Sequence, residues 1–330
     1  MSEFRRDPII GRWVIISTER GRRPNGYVKD HESALGTPCP FCVGNEKMTP
    51  PEILRFQNEP DDGKFPWGVR VVSNKYPALA VEGNLDRKGD GMYDKMNGIG
   101  AHEVIIETPE HNKKISEMHP KHIENIMWAY KERILDLKKD FRLEYILIFK
   151  NNGQSAGATL AHPHSQLIAT PVVPKRVIEE VRGAKAYFDN KERCPFCDII
   201  SQEMTAAKRI VAENDAFVAF CPFASRFPFE VWVMPKNHSS NYEYITREEA
   251  AQLAMMMKDV LSKLNQVLDN PPFNYIIHNA PTKENNLPHF HWHIEIMPKL
   301  TQVAGFEWGT GFYINPTPPE EAAQFMKDSD

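Results

Sequence analysis

The chain has no long apolar run. Its longest apolar stretch, residues 216–224, contains Pro222 and falls far short of the ~20 residues a bilayer-crossing helix needs. The first residues, Met1-Ser2-Glu3-Phe4-Arg5-Arg6-Asp7, lack the apolar core of an export signal, so the expected location is cytoplasmic, with no membrane partner. Neither sign of charge is in excess. Forty basic against 44 acidic residues leave a net charge of -4, which argues against a general nucleic-acid or anionic-membrane binder. A small anionic ligand remains possible, because a few arginines in a cleft suffice to hold one. Cysteine is scarce, five in 330 residues, and a chain of this length can bury a large core without disulfide staples. There is no low-complexity tail. At roughly 150 residues per domain, the length suggests two domains or one duplicated unit.

What the chain does contain is repeated. Four of the five cysteines form two copies of one tetrapeptide, Cys39-Pro40-Phe41-Cys42 and Cys194-Pro195-Phe196-Cys197. In a reducing compartment such a pair reads as metal or redox chemistry, and two identical copies favour metal. Cys221 stands alone and reads as a small buried hydrophobe. The segment Glu103–His111 has a counterpart in Glu230–His238, each an apolar strand, a proline and then a histidine, with the two histidines 127 residues apart. A helical period follows each: Ile123, Ile126, Met127, Tyr130, Ile134 and Leu137 in the first, and Leu253, Met257, Val260, Leu261, Leu264 and Leu268 in the second. Thr246 and Glu249 form a capping box at the start of the second helix. Then come apolar strands at Tyr145–Phe149 and Tyr275–Ile277, asparagines at 151 and 279, and the clusters His162-Pro163-His164-Ser165-Gln166 and His289-Phe290-His291-Trp292-His293. Both clusters open strands that end at Pro171 and Pro298.

Antiparallel strands packed on a helix, used twice, predict an α+β fold of two tandem halves, 1–171 and 172–330. A helix over 174–190 is expected between them, a short helix over 318–327 at the end, and loops at 61–63 and 83–100.

Structural zinc takes four cysteine or histidine ligands in a tetrahedron. Cys39 and Cys42 supply two from a turn, and His111 and His162 are the natural candidates for the rest. The second half offers Cys194, Cys197, His238 and one histidine of the later cluster. The ungapped offset of 127 selects His289. A lone histidine after a strand is ordinarily a solvated loop residue, and the matching pair, His111 with His238, reverses that expectation.

His162 and His164 lie two apart, so in an extended segment they share a face, with Gln166 next in the row. One imidazole can be tied to a metal while the other attacks phosphorus, forming a covalent phosphoramidate that splits one transfer into two. Gln166 can donate to a phosphoryl oxygen. The upstream loop, residues 151–159, is small, polar and glycine-bearing, as close approach to a phosphate requires. Arg20, Arg22 and Arg23 can pair with the same anion.

These motifs resemble the nucleotidyltransferase branch of the histidine-triad superfamily, and within it the whole chain is similar to the galactose-1-phosphate uridylyltransferase family. The resemblance implies two histidine-triad-like halves, a homodimer, and a nucleotide-sugar and hexose 1-phosphate as substrates. The uridylyl group of UDP-glucose would pass through His164 to galactose 1-phosphate. It implies that Arg20, Arg23, Asn74, Asn151, Gly157 and Thr159 hold the nucleotide, that Gln166 contacts the phosphate, and that Phe306 and Glu307 serve the sugar side. It implies zinc at Cys39, Cys42, His111 and His162, and favours His291 over His289 for a second zinc or iron. Ser165 stands where many uridylyltransferases have glycine, Thr159 where serine is common, and no basic residue directly precedes Gly305. A serine at that first position also occurs in relatives that phosphorolyse ADP-glucose. An adenylyltransferase or ADP-glucose phosphorylase using the same histidine is therefore the alternative. A non-enzymatic zinc-stabilised nucleotide binder is a third reading, opposed by a second histidine with no structural task.

Overall fold

The computed structural model describes residues 38–57, 65–311 and 313–329, together with the backbone of 3–6 and 13–16. In the first half the strands are β1 (Glu3–Arg6), β2 (Trp13–Ile16), β3 (Glu52–Phe56), β4 (Val69–Ser73), β5 (Lys88–Asp90), β6 (Tyr93–Asn97) and β7 (Ala101–Ile106). Helix α1 (Pro120–Leu137) and strands β8 (Tyr145–Asn152) and β9 (His164–Thr170) follow. Helices α2 (Lys175–Lys191) and α3 (Pro195–Ala206) lead into β10 (Ile210–Glu213), β11 (Phe217–Phe220) and β12 (Val231–Pro235). Then come α4 (Arg247–Leu268), β13 (Phe273–His278), β14 (His293–Pro298), α5 (Gly305–Thr310) and α6 (Pro319–Lys327).

The larger sheet has ten antiparallel strands in the order β10-β11-β12-β14-β13-β8-β9-β7-β4-β3. Read outward from the β13–β8 pair, the two sides repeat one arrangement, so the halves join edge to edge. Tyr275 pairs with Lys150 and Ile277 with Ile148 across that seam. Joining here removes two open strand edges, which would otherwise invite pairing with another chain.

Local chemistry sets the helix starts. Pro120 opens α1, and the His119 ring accepts the Lys121 N–H. The expected capping box of α4 is present: Thr246 Oγ1 accepts the Glu249 N–H at 3.1 Å, and the Glu249 carboxylate accepts the Thr246 N–H at 2.8 Å. The apolar stripes of both helices enter one core with Leu167 and Ala169 of β9 and Ile294 and Ile296 of β14. Tyr130 and Tyr275 join their hydroxyls across the seam at 2.5 Å. Alternation along β9 therefore turns Ser165, Leu167 and Ala169 to the helices, while His164, Gln166 and Ile168 face the other way.

One expectation fails in this region. Residues 83–100 are not only loop: β5 and β6 form a hairpin there and build a separate four-stranded sheet with β1 and β2. A charged, glycine-bearing strand such as Lys-Gly-Asp carries no apolar alternation; β5 is held by β6, which pairs in turn with β1. Among the described residues, no helix is long and apolar enough to cross a membrane.

Candidate active site

The first Cys-x-x-Cys is a turn, and the chain brings it against the end of β7 and the start of β9. The ligand atoms of Cys39, Cys42, His111 and His162 all lie within 4.8 Å of one another. Cys42 Sγ is 3.2 Å from His111 Nδ1 and 3.6 Å from His162 Nδ1, and Cys39 Sγ is 3.7 Å from His162 Nδ1. A tetrahedral ion ~2.3 Å from sulfur and ~2.0 Å from nitrogen sets its ligands roughly 3.5 Å apart. The ring of His162 is oriented for this, because its Nε2–H donates to the Thr108 carbonyl at 2.7 Å and leaves Nδ1 as the lone pair. Burial and the adjacent Cys39 push the Cys42 thiol up to about 11. A metal cation would reverse that. The donor set, its spacing and the imidazole tautomer all fit a metal ion.

His164 is buried, with Phe41 of the cysteine turn edge-on at 5.4 Å. Its Nδ1–H donates to the carbonyl of His162 at 2.8 Å, so Nε2 carries the lone pair. Burial holds the ring's pKa below the usual histidine value, which keeps that lone pair available at neutral pH. Behind the strand, Lys150 donates to the His164 carbonyl at 3.2 Å and forms a buried ion pair with Glu107. Tyr275, from the second half, donates to the same Glu107 at 3.4 Å. Ser165 does not face the site; its hydroxyl bonds the Tyr130 hydroxyl at 2.7 Å on the core side. We expect Lys150→Met to cost about 3–5 kcal/mol in urea unfolding, because it strands a buried carboxylate. A loss under about 1 kcal/mol would show that Glu107 finds another partner.

The loop after β8 closes by two glycines. Gly153 (φ +87°) has Pro272 where a Cβ would lie, only 2.8 Å away, and Gly157 (φ +89°) ends the short turn Gln154–Ala156 beside the Asn151 amide. Asn274 of β13 fastens this loop, donating to Asn151 Oδ1 and to the Ala156 carbonyl, both at 2.8 Å. Thr159 is exposed in the same loop. Gln166 Oε1 meets His102 Nε2 at 3.0 Å, and Asn74 Nδ2 lies 3.1 Å from that same nitrogen. The structure thus brings Asn74 and Gln166 together and sets Asn151 beside Gly157. Arg20 and Arg23 lie outside the described residues. Phe306 is exposed on α5, and the Glu307 carboxylate accepts its own helix's Ala304 N–H at 3.0 Å.

The family pattern described as galactose-1-phosphate uridyl transferase, N-terminal domain, matches residues 1–174, and that of its C-terminal domain matches residues 180–318. The chain belongs to the galactose-1-phosphate uridylyltransferase family. It is an enzyme, a nucleotidyltransferase. It is 38% identical to an ADP-glucose phosphorylase of Arabidopsis thaliana over 99% of this chain and 92% of that one. It is 33% identical to a galactose-1-phosphate uridylyltransferase of Thermotoga maritima over 100% of this chain and 99% of that one. The fold matches the crystal structure of an Arabidopsis thaliana ADP-glucose phosphorylase with bound ADP-glucose, with a TM-score of 0.78, 38% identity and complete coverage of both chains.

Within this family chain the second half repeats the metal group. Cys194, Cys197, His238 and His291 also place their ligand atoms within 4.8 Å of one another. Here the cysteines sit at the start of a helix, Cys194 capping α3. Nε2–H of His238 donates to the Leu287 carbonyl at 3.1 Å and that of His291 to the Pro235 carbonyl at 2.9 Å, again freeing Nδ1. His289 is not in the group; its ring lies against Phe188 at 6.1 Å. The offset of 127 fails at this point because the β13–β14 connection is two residues longer than the β8–β9 one. Phe149 pairs with Gln166, and its counterpart Ile276 pairs with Glu295.

This alignment makes His293 the counterpart of His164. The likeness extends to detail: the His293 Nδ1–H donates to the His291 carbonyl at 3.1 Å, and Phe196 stands 5.4 Å away as Phe41 does from His164. The second copy is closed. His278 stacks on the His293 ring at 4.5 Å and Trp232 packs on it at 4.9 Å. Trp232 pairs with Glu295 where the first half pairs Val104 with Gln166, so an indole stands where the first half has valine. Glu180, His278 and His293 form a third group of possible metal ligands. Both nitrogens of His278 already meet carboxylates, Glu180 at 3.0 Å and Glu295 at 3.2 Å. Burial opposes charge on this ring, yet the two carboxylates hold its pKa up to about 10. Cys221 is fully buried, and burial pushes its thiol up to about 12, in keeping with an inert hydrophobe.

Proposed function

We propose that the protein moves a nucleotidyl group from a nucleotide-sugar to a phosphate-bearing acceptor through a covalent bond to His164. The observation that carries this is the hydrogen bond from His164 Nδ1 to the His162 carbonyl, 2.8 Å long, in a ring kept neutral by burial. Nε2 attacks the phosphorus next to the nucleoside, an N–P bond forms, and the P–O bond to the sugar phosphate breaks. The sugar phosphate leaves with the bonding electrons. No proton has to move, because Nδ1 keeps its hydrogen and the His162 carbonyl stabilises the positive charge the ring acquires. Gln166 donates to a phosphoryl oxygen as charge shifts there, and the Asn151–Thr159 loop holds the phosphates. An acceptor phosphate oxygen then displaces His164 in the reverse sense.

Zinc is the metal we assign to Cys39, Cys42, His111 and His162, and zinc or iron to Cys194, Cys197, His238 and His291. Its role is structural, fixing His162 and so the carbonyl that orients His164. The division into halves at 1–171 and 172–330, the homodimer and the cytoplasmic location belong to the same proposal.

UDP-glucose as donor and galactose 1-phosphate as acceptor is the reading the family carries. The second reading is ADP-glucose as donor and inorganic phosphate as acceptor. It is favoured by the 38% identity to an ADP-glucose phosphorylase and by the lack of a basic residue directly before Gly305. Intact-mass spectrometry after mixing with each nucleotide-sugar, without acceptor, tests both. A mass increment of one nucleoside monophosphate, lost again on adding acceptor, is the expected result and identifies the base. No increment with either donor would overturn the covalent mechanism.

A further inference from the structure

We propose that His102 is a positioning residue for this transfer: it fixes which end of the Gln166 amide faces the substrate and ties it to the Asn74 segment. The inference rests on the covalent His164 reading and adds a residue that reading does not use. His102 lies in β7, where it pairs with Ile168, and Val104 pairs with Gln166. His102 and Gln166 are therefore diagonal neighbours on one sheet face, within reach of long side chains.

The ring's tautomer follows from its partners. A backbone N–H can only donate, and that of Ala78 meets His102 Nδ1 at 3.1 Å, so Nδ1 is the acceptor. In the neutral ring the proton is then on Nε2. That N–H donates to Gln166 at 3.0 Å, so the atom it meets must be the amide oxygen. Carboxamide oxygen and nitrogen have nearly the same shape, and only the surrounding network selects between them. With Oε1 taken by His102, the NH2 of Gln166 is the end left to donate, and among the described residues no group accepts from it. That is the polarity a phosphoryl oxygen requires. The opposite orientation would aim a carbonyl oxygen at an anion.

The same ring holds the segment after β4. Besides the Ala78 N–H on the ring, the His102 carbonyl accepts the Asn74 N–H at 2.8 Å, while Asn74 Nδ2, itself a donor, makes no hydrogen bond to the protonated Nε2 3.1 Å away. Asn74 Oδ1 is fixed by the Tyr76 N–H at 2.9 Å. His102 is 3% exposed, so water does not compete for these bonds. The closed second copy supplies the contrast. Glu295 stands in the place of Gln166 and Glu230 in that of His102, and Arg226 lies 2.5 Å from one and 3.6 Å from the other. Where no phosphate is to be met, the histidine–glutamine pair is absent.

A double-mutant cycle tests the proposal. The rate of His164 adduct formation in a single turnover is measured for wild type, His102→Phe, Gln166→Ala and the double variant, with UDP-glucose or ADP-glucose, whichever labels faster. His102→Phe should slow adduct formation on the order of 10- to 100-fold, with donor affinity changed less than about threefold. In the Gln166→Ala background the same change should cost less than about threefold, because the group it orients is gone. Equal factors in both backgrounds, or no slowing at all, would overturn the proposal while leaving the His164 mechanism standing. Absence of an adduct in the wild type would instead overturn the mechanism and this inference with it. His102→Gln, which carries an acceptor and a donor side by side, should recover part of the rate. Nitrogen-15 spectra of histidine-labelled wild-type protein supply a readout that no variant's folding can disturb. They should show His102 protonated at Nε2, and a proton at Nδ1 would overturn the assignment.

Discussion

Replacing His164 with asparagine should lower turnover at least about a thousandfold, roughly 4 kcal/mol of barrier, while fold, metal content and nucleotide binding persist. The ring sits in a pocket already shaped by Phe41 and the His162 carbonyl, and asparagine is smaller and polar, so the sheet register is not disturbed. What disappears is a neutral nitrogen lone pair held in place at phosphorus. The amide nitrogen of asparagine is no nucleophile, because its lone pair is delocalised into the carbonyl. Binding energy and the Gln166 donor remain, so residual activity reports what positioning and electrostatics contribute without a covalent step. The assay is steady-state turnover with the donor identified by mass spectrometry, beside a melting curve and metal analysis of the same sample. Retention of more than about a tenth of wild-type turnover, about 1.4 kcal/mol or less of barrier, would place the nucleophile elsewhere. His164→Gly should regain measurable turnover with added imidazole, since the missing group would then be supplied from solution.

The second large effect concerns the metal. Cys39→Ser should remove one zinc ion per chain and lower the melting temperature by at least about 10 °C, given ~2–4 °C per kcal/mol in a domain of this size. Four groups that converge within 4.8 Å bring two thiols and two imidazole lone pairs together. Burial and the adjacent Cys39 disfavour the Cys42 thiolate, and a bound cation would offset that charge. Bound metal turns the convergence into folding free energy, because the unfolded chain has no such site. Activity should fall with stability. The turn carries Phe41 against the His164 ring, and His162 both binds the metal and supplies the carbonyl that sets the tautomer. Metal analysis by mass spectrometry and a thermal melt check this, and unchanged zinc with an unchanged melt would remove the metal from the first group.

Much of this site could be read in the sequence because its signals are local. Cysteines three apart, histidines two apart, a capping box and a 3.6-residue apolar period each lie within one turn or one strand. Their recurrence in the same order exposed the duplication. Local spacing also put His162, His164 and Gln166 in a row, although His162 lies just before the strand proper.

Other features depend on how distant strands register, and no local pattern carries that. His291 rather than His289 enters the second metal group because a connection is longer by two residues, a difference that an ungapped offset conceals. His102 and Glu107 come from β7 and its end, Lys150 from β8 and Asn274 from β13, and their spacing from His164 has no period to detect. The hairpin at 88–97 has no apolar alternation and is fixed by its neighbour β1. The inequality of the halves is tertiary as well. His164 and His293 share the same local chemistry, and the packing of Trp232 and His278 against the second ring sets the two apart. The sequence by itself determined which side chains make up the cysteine–histidine groups and the histidine row, and that they occur twice. The tertiary structure decided what packs over each copy of the ring, because that depends on what neighbouring strands place there, and pairing register across residues far apart in the chain settles it.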